Sequence, residues 1–355
     1  MRAHHDRPGA GTGPGVRLLY AGGIALALLI LLGLVFPEPL LQGRVFASSD
    51  AENAALFTIV GDASLARGVY PQWNPYLFAG MPTFGSLAYT RFVYPPGEAL
   101  TFLQDRLGFP PLTWMLVHLL FGGVGMVWLL GRWRLPLPAR LLGAAVWLLQ
   151  PNVVAWGVHG HGSKLVTAMY LPWVVGVCLD LLEGKGRRRA ALLALAVGLQ
   201  VLRGHPQILY YTLLCVGVLV LGRWIAAWAA RRRRPATAQG WPWRPTAAIG
   251  VALVTAFLIG AVQLLPVREY AGWSVRGSAE GGAPATSTPP AGACTRGSSR
   301  PWCSRRPPAS GWAPTRASCR SPIIRTISAG CCSPSRRSAS GRRRAGRSGR
   351  WRRSA

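Results

Sequence analysis

Seven blocks of apolar residues, rather than any catalytic motif, limit what this chain can fold into. They cover residues 18–36, 111–130, 141–158, 165–182, 190–202, 208–230 and 247–265. Most approach the ~20 residues an α-helix needs to cross ~30 Å of hydrocarbon, and only the fifth is clearly short. Half of all residues are hydrophobic and only 14% are charged. Because the apolar residues come in runs rather than in one-sided periods, they fit lipid on all sides better than a water-facing surface. The expected fold class is therefore all-α: a polytopic transmembrane helix bundle of about seven spans, with a long first extracytoplasmic loop over 37–110 and a disordered basic C-terminal tail. Residues 1–16 read as a short polar leader and 17–277 as the transmembrane region. The basic flank of the first block mimics a signal peptide, but the block is too long for one and no Ala-x-Ala site follows it directly. It reads as an uncleaved helix.

The distribution of arginine and lysine sets an expected orientation. Placing the N-terminus in the cytoplasm puts Arg132, Arg134, Arg140, Lys185, Arg187 to Arg189, Arg223, Arg231 to Arg234 and Arg244 on the inner side, while the opposite short loops hold only Lys164, Arg203 and Arg268. The net charge of +29 lies mostly in these inner loops and in the tail. It gives no argument for a nucleic-acid partner. The expected partner is the bilayer, and the expected location a cell membrane crossed several times.

An extramembrane loop of this length usually carries function. Its first part, 51–67, is expected to form a helix lying on the membrane surface, with Ala54, Ala55, Leu56, Ile59, Val60, Ala63 and Leu65 as its apolar face. Its second part is rich in aromatic residues and proline, from Tyr70 through Trp73, Asn74 and Tyr76 to Pro82. The proposed orientation gathers further polar clusters at the same outer end: His159 to Lys164, Arg203 to Gln207, and Arg268 to Tyr270.

Each cluster has a plain reading beside the functional one. Asp50 and Glu52 sit where a solvated acid is common. His159 and His161 lie in a glycine-rich turn without a nearby cysteine, which is poor zinc spacing. Tyr210 and Tyr211 open a span and suit an interfacial aromatic belt. Arg203 and His205 are harder to dismiss, because the span before them is short and contains Gln200. Ionisable groups below the interface cost several kcal/mol and call for a partner or a charged ligand.

Several motifs in order carry a resemblance: Ser49-Asp50; Trp73-Asn74-Pro75-Tyr76-Leu77-Phe78-Ala79-Gly80-Met81-Pro82; His161-Gly162-Ser163-Lys164 running into Tyr170-Leu171-Pro172-Trp173; His205-Pro206-Gln207-Ile208-Leu209-Tyr210-Tyr211; and Glu269-Tyr270 with Ser274-Val275-Arg276-Gly277. Over roughly 18–277 the chain resembles the YfhO family of bacterial membrane proteins. That family is similar to the GT-C glycosyltransferases, which move a sugar from a polyprenyl-phosphate carrier to an acceptor outside the membrane. The resemblance implies a bacterial plasma-membrane protein with a polyprenyl-phosphate sugar donor and an extracytoplasmic glycan or polymer acceptor. Asp50 matches the acid that GT-C enzymes use as base or as ligand to a divalent cation. Beside it, Lys164, Arg203 and His205 are expected to neutralise the carrier phosphate, and Trp73 and Tyr76 to stack on sugar or carrier. Glu52, Asn74, His161, Gln207 and Tyr210 complete the expected substrate-binding set. A transporter or accessory membrane subunit is the alternative.

The chain departs from the family pattern near Ser278. Residues 281–355 contain no acid and no apolar block, yet hold five of the seven cysteines. A shifted reading frame restores apolar residues: Arg300-Pro301-Trp302-Cys303 becomes Pro, then Leu, Met or Val, then an unambiguous Val, because Trp has one codon. A frameshifted or truncated product is the favoured expectation over a genuine basic tail, and with it a short form that lacks activity. The tail cysteines then carry no disulfide or zinc meaning.

Overall fold

The computed structural model describes residues 14–77, 80–234 and 240–273. The expected tail from residue 278, the Ser274-Val275-Arg276-Gly277 motif and most of the leader lie outside them. Among the described residues the chain forms thirteen helices and one two-stranded ribbon: α1 (Pro14–Val35), α2 (Pro37–Leu41), α3 (Ser49–Leu65), β1 (Trp73–Asn74), β2 (Met81–Pro82), α4 (Pro95–Leu107), α5 (Thr113–Gly131), α6 (Leu137–Leu149), α7 (Pro151–Val158), α8 (Gly162–Met169), α9 (Leu171–Leu182), α10 (Arg187–Leu202), α11 (Pro206–Arg233), α12 (Trp243–Ile259) and α13 (Ala261–Trp273). Proline punctuates this order. It stands at the first or second position of α2, α4, α6, α7, α9 and α11, where its missing N–H costs no intrahelical bond.

Four stretches are long and apolar enough to cross a membrane: Leu18–Val35 in α1, α5, α8 with α9 (Gly162–Leu182), and α11. The pairs α6–α7 and α12–α13 also qualify if each bent pair counts as one span, with bends of 46° and 71°. That makes six at most, against about seven expected. The difference is α10, whose 16 residues fall short of a full crossing. The first bend follows from Pro151, which leaves Gln150 extended at ψ 142°, and the second falls at Gly260.

Two apolar clusters hold the bundle together. One joins α1, α5, α6 and α8 through Leu28, Leu32, Met115, Leu119, Leu148, Leu165 and Met169. The other joins α9, α10, α11 and α12 through Val174, Cys178, Leu193, Val197, Val216, Ala252 and Ala256. The paired α8–α9 span links them and is the most enclosed, with 78% of its apolar window buried, against 17% for α1 and 11% for α11. Leu18, Leu26, Leu34, Leu214, Val218, Leu221 and Ile225 stand in the open. Apolar belts of this extent need lipid to cover them. Within the bundle α5 is narrow where it matters: a side chain at Gly122 would overlap Met169, and one at Gly125 would overlap Trp173. Small residues there let α5 approach α8 and α9 closely.

Helix α3 forms where expected but does not present one apolar face. Leu56 and Ile59 are exposed, whereas Gly61 lies under the ring of Tyr89. The cause is spacing: at 100° per residue, positions 54, 55, 56, 59, 60, 63 and 65 spread over about 240° of the helix, too wide for one face.

Candidate functional site

The polar groups converge at the end of the bundle where α3, α4, α5 and α8 begin and α10 ends. A cleft of about 520 Å³ opens there, lined by Asp62, Tyr89, Arg91, Tyr94, Glu98, Trp114, His118, Ser163 and Arg203. His161, between the lining residues Gly160 and Gly162, stands at its margin. Its Nε2 lies 3.5 Å from Oδ2 of the exposed Asp50 carboxylate, in the first turn of α3. Two residues separated by the whole first loop and two spans are thus neighbours. Glu52 is exposed in the same turn.

Arg203 caps the C-terminal end of α10, and its guanidinium lies 5.7 Å from the centre of the Tyr94 ring. No carboxylate pairs with it among the described residues, and burial lowers its pKa from the ordinary arginine value. Such a guanidinium stays charged and open to an anion. His205 follows at the N-cap of α11, where its Nδ1 accepts a hydrogen bond from the Ile208 N–H at 3.3 Å. Burial first, then the positive charge of Lys164, pushes its pKa below the usual histidine value, with smaller contributions from His161 and Arg203. The basic residues of the α7–α8 and α10–α11 turns therefore act on one another. Gly204 between them has φ +74° and lies against Gln263, a turn that favours glycine.

The floor of the cleft is a polar chain in otherwise apolar surroundings. His118 Nδ1 lies 2.6 Å from the Trp114 carbonyl, which can only accept, so Nδ1 carries the proton of the neutral ring. Nε2 then accepts from the Tyr94 hydroxyl at 2.9 Å, and Tyr94 accepts from Tyr170 at 2.6 Å. Burial, reinforced by Tyr170, raises the Tyr94 pKa well above the usual phenol value. The wall is ionic: Arg91 donates to Asp62 at 2.7 Å and lies 3.8 Å from Glu98, while Tyr89 donates to Asp62 at 2.8 Å. Burial and the Asp62 hydrogen bond push the Tyr89 phenol up to about 12.

His118 also lines a second, apolar cavity of about 620 Å³ that runs between α4, α5, α9 and α10. Its wall is a ladder of rings, with Phe121 stacked on Trp173 at 5.2 Å and Trp173 stacked on Trp128 at 5.3 Å. His118 lines both the cavity and the cleft, and Tyr170, on the cavity side, bonds to Tyr94 on the cleft side.

Other expected site residues have local roles. Asn74 is buried, and its Oδ1 accepts from the Tyr76 N–H at 2.9 Å, so its side chain fixes a turn. Trp73 packs against Gly80 across the β1–β2 pair but remains half exposed, and Tyr76 is exposed. Gln207 donates to the Tyr211 hydroxyl at 3.0 Å, and Tyr210 packs its exposed ring beside that of Tyr211. Gln200 is fully buried, donating to the Thr167 carbonyl and to Thr212. A divalent cation at Asp50 finds only the Asp50–His161 pair close by, and no group of three or more His, Cys, Asp or Glu side chains suited to a metal occurs among the described residues. Two donors are too few to hold such an ion without waters or substrate phosphates as further ligands.

Sequence reasoning missed His118, Tyr94, Asp62 and Arg91. His118 had a visible signal, an ionisable residue inside an apolar block. Asp62 and Arg91 had none, since a pair 29 residues apart leaves no periodic trace. No protein-family model, curated protein or solved structure matches the chain.

Proposed function

We propose that the chain derives from a membrane glycosyltransferase that moves a sugar from a polyprenyl-phosphate carrier to an acceptor on the outer face of a bacterial plasma membrane. The observation that supports this reading is the convergence, at one end, of the Asp50–His161 pair with a cleft that holds the unpaired Arg203 and shares His118 with an apolar cavity fit for a lipid chain. In this scheme the Asp50 carboxylate takes the proton from the acceptor hydroxyl as it attacks the sugar. The bond between sugar and carrier phosphate breaks, and Arg203, with Lys164, balances the charge left on that phosphate, while neutral His205 offers it the Nε2–H as a hydrogen-bond donor. Trp73 and Tyr76 offer exposed rings on the first loop for stacking, and Glu52, Gln207 and Tyr210 complete the proposed binding set.

Transfer is measured with a radiolabelled polyprenyl-phosphate sugar, using the chain continued in the alternative reading frame. Asp50→Asn should abolish transfer while leaving the membrane level unchanged, because it keeps shape and removes basicity. Activity near the parent rate would leave Asp50 a solvated loop acid. A second reading, a transporter, has one observation in its favour: the broken spans α6–α7 and α12–α13, since broken helices frame many transport sites. Movement of the intact carrier or glycan across sealed vesicles, with the glycosidic bond uncut, would favour it.

A further inference from the structure

The other end of α10 holds a second cluster that glycosyl transfer does not use. Asp180, almost wholly buried at the end of α9, receives Arg132, Lys185 at 2.7 Å and Arg189 at 3.1 Å. Glu183 pairs with Arg132 at 2.6 Å and with Lys185 at 2.8 Å. The Lys185 hydrogen bond holds the Glu183 carboxyl below its ordinary pKa. Arg132, Arg140, Lys185 and Arg189 line a pocket of about 340 Å³ here. Four cations thus face two carboxylates, so the corner keeps positive charge after every acid is paired.

Two further features point to what meets that charge. Helix α10 opens with Arg187, Arg188 and Arg189, with no acid in its first turn and no side-chain cap at Gly186. The positive end of a helix dipole favours anions, and of the three arginines there only Arg189 has a carboxylate partner, Asp180, among the described residues. The pocket also adjoins the apolar cavity, because Trp128 and Arg189 line both. From Arg189 the cavity follows α10 past Leu192 and Leu195 to Leu199, ten residues or about 15 Å at 1.5 Å each. That is half of a ~30 Å hydrocarbon core, the depth of one leaflet. Among the described residues Leu192 and Leu195 remain 44% and 50% exposed.

We infer that this corner binds an anionic phospholipid of the adjacent leaflet, its phosphate at Arg189 and the first turn of α10, and one acyl chain along Leu192, Leu195 and Leu199. A free anion would satisfy the charge and leave the groove bare; a neutral lipid would do the reverse. The phosphate site lies at the far end of α10 from Arg203, and its acyl chain enters the shared cavity from the Arg189 end, opposite His118; the inference does not rest on glycosyl transfer.

The test uses the full chain in phosphatidylcholine nanodiscs holding a few spin-labelled lipids, either phosphatidylglycerol or phosphatidylcholine, with the motionally restricted fraction read by electron spin resonance. Phosphatidylglycerol should be preferred by roughly fivefold, the effect of one basic residue near an anionic group. Arg189→Gln should remove the preference. Leu195→Trp, which fills the groove without touching Asp180, should reduce the restricted fraction to background even if Arg189→Gln fails to fold. Arg233→Gln, at the exposed end of α11, should change nothing. Equal restriction of the two lipids, a preference that survives Leu195→Trp, equal loss with Arg233→Gln, or displacement of the label by millimolar glycerol phosphate would each overturn the inference.

Discussion

At the scale of single residues, charge and hydrogen-bond geometry assign more than residue type does. His205 is informative because its Nδ1 accepts from the Ile208 N–H, which only a neutral ring can do. Its pKa is lowered from 6.5 by burial and by Lys164, so as pH falls below 6.5 the unfolded chain takes up a proton before the folded one does. Stability should therefore decline as pH drops through and below 6.5, and His205→Asn, which keeps an N-cap acceptor without titrating, should flatten that decline. The cap itself is worth about 1 kcal/mol. Thermal unfolding in detergent between pH 7.5 and 5 measures both; an identical slope in the variant would show that other groups set it. Arg203 is the counterpart, a cation in need of an anion where His205 is a base kept neutral.

At the scale of elements, the helices pack where small residues let them meet and bend where proline or glycine breaks the ladder. Gly125 in α5 lies against the indole of Trp173, whose Nε1–H donates to the Phe121 carbonyl at 3.1 Å. Gly125→Leu would push that indole out of its stack between Phe121 and Trp128. A destabilisation of about 1–3 kcal/mol is expected, the usual cost of overpacking, with a change in tryptophan fluorescence. Gly250 in α12 faces open space, so Gly250→Leu should be near neutral or slightly stabilising, leucine being the better helix former. Melting curves that respond equally to the two substitutions would contradict the close α5–α9 contact. Helix α10 shows the same logic in polar form: its two ends carry the two basic clusters, and its 16 residues hold them about 24 Å apart.

At the scale of the whole molecule, the bundle carries its polar chemistry at two ends and apolar belts between them. The basic-residue asymmetry predicts that the end with Arg132 and Arg189 faces the cytoplasm, and that the Asp50 end faces out. Single cysteines test this in a cysteine-free version: Asp105→Cys on α4 should react with an impermeant thiol reagent added outside intact cells, and Arg188→Cys only after permeabilisation. Both positions are exposed in the fold, so access rather than burial decides the result. Reaction of Arg188→Cys alone from outside would invert the orientation.

The sequence by itself determined the helical class, the approximate limits of the apolar spans and the gathering of basic residues, because hydrophobic run length and proline position act locally along the chain. It also brought forward Asp50, His161, Lys164, Arg203 and His205, since ionisable groups stand out against apolar surroundings. Only the tertiary structure decided that Asp50 meets His161, that Asn74 serves a turn, and that α6–α7 and α12–α13 bend. The His118–Tyr94–Tyr170 chain and the Asp62–Arg91 pair belong to the same group. Their partners lie 24 to 76 residues apart. Such contacts follow from how helices approach in space, set by small residues on distant elements, and no periodicity along the chain records them.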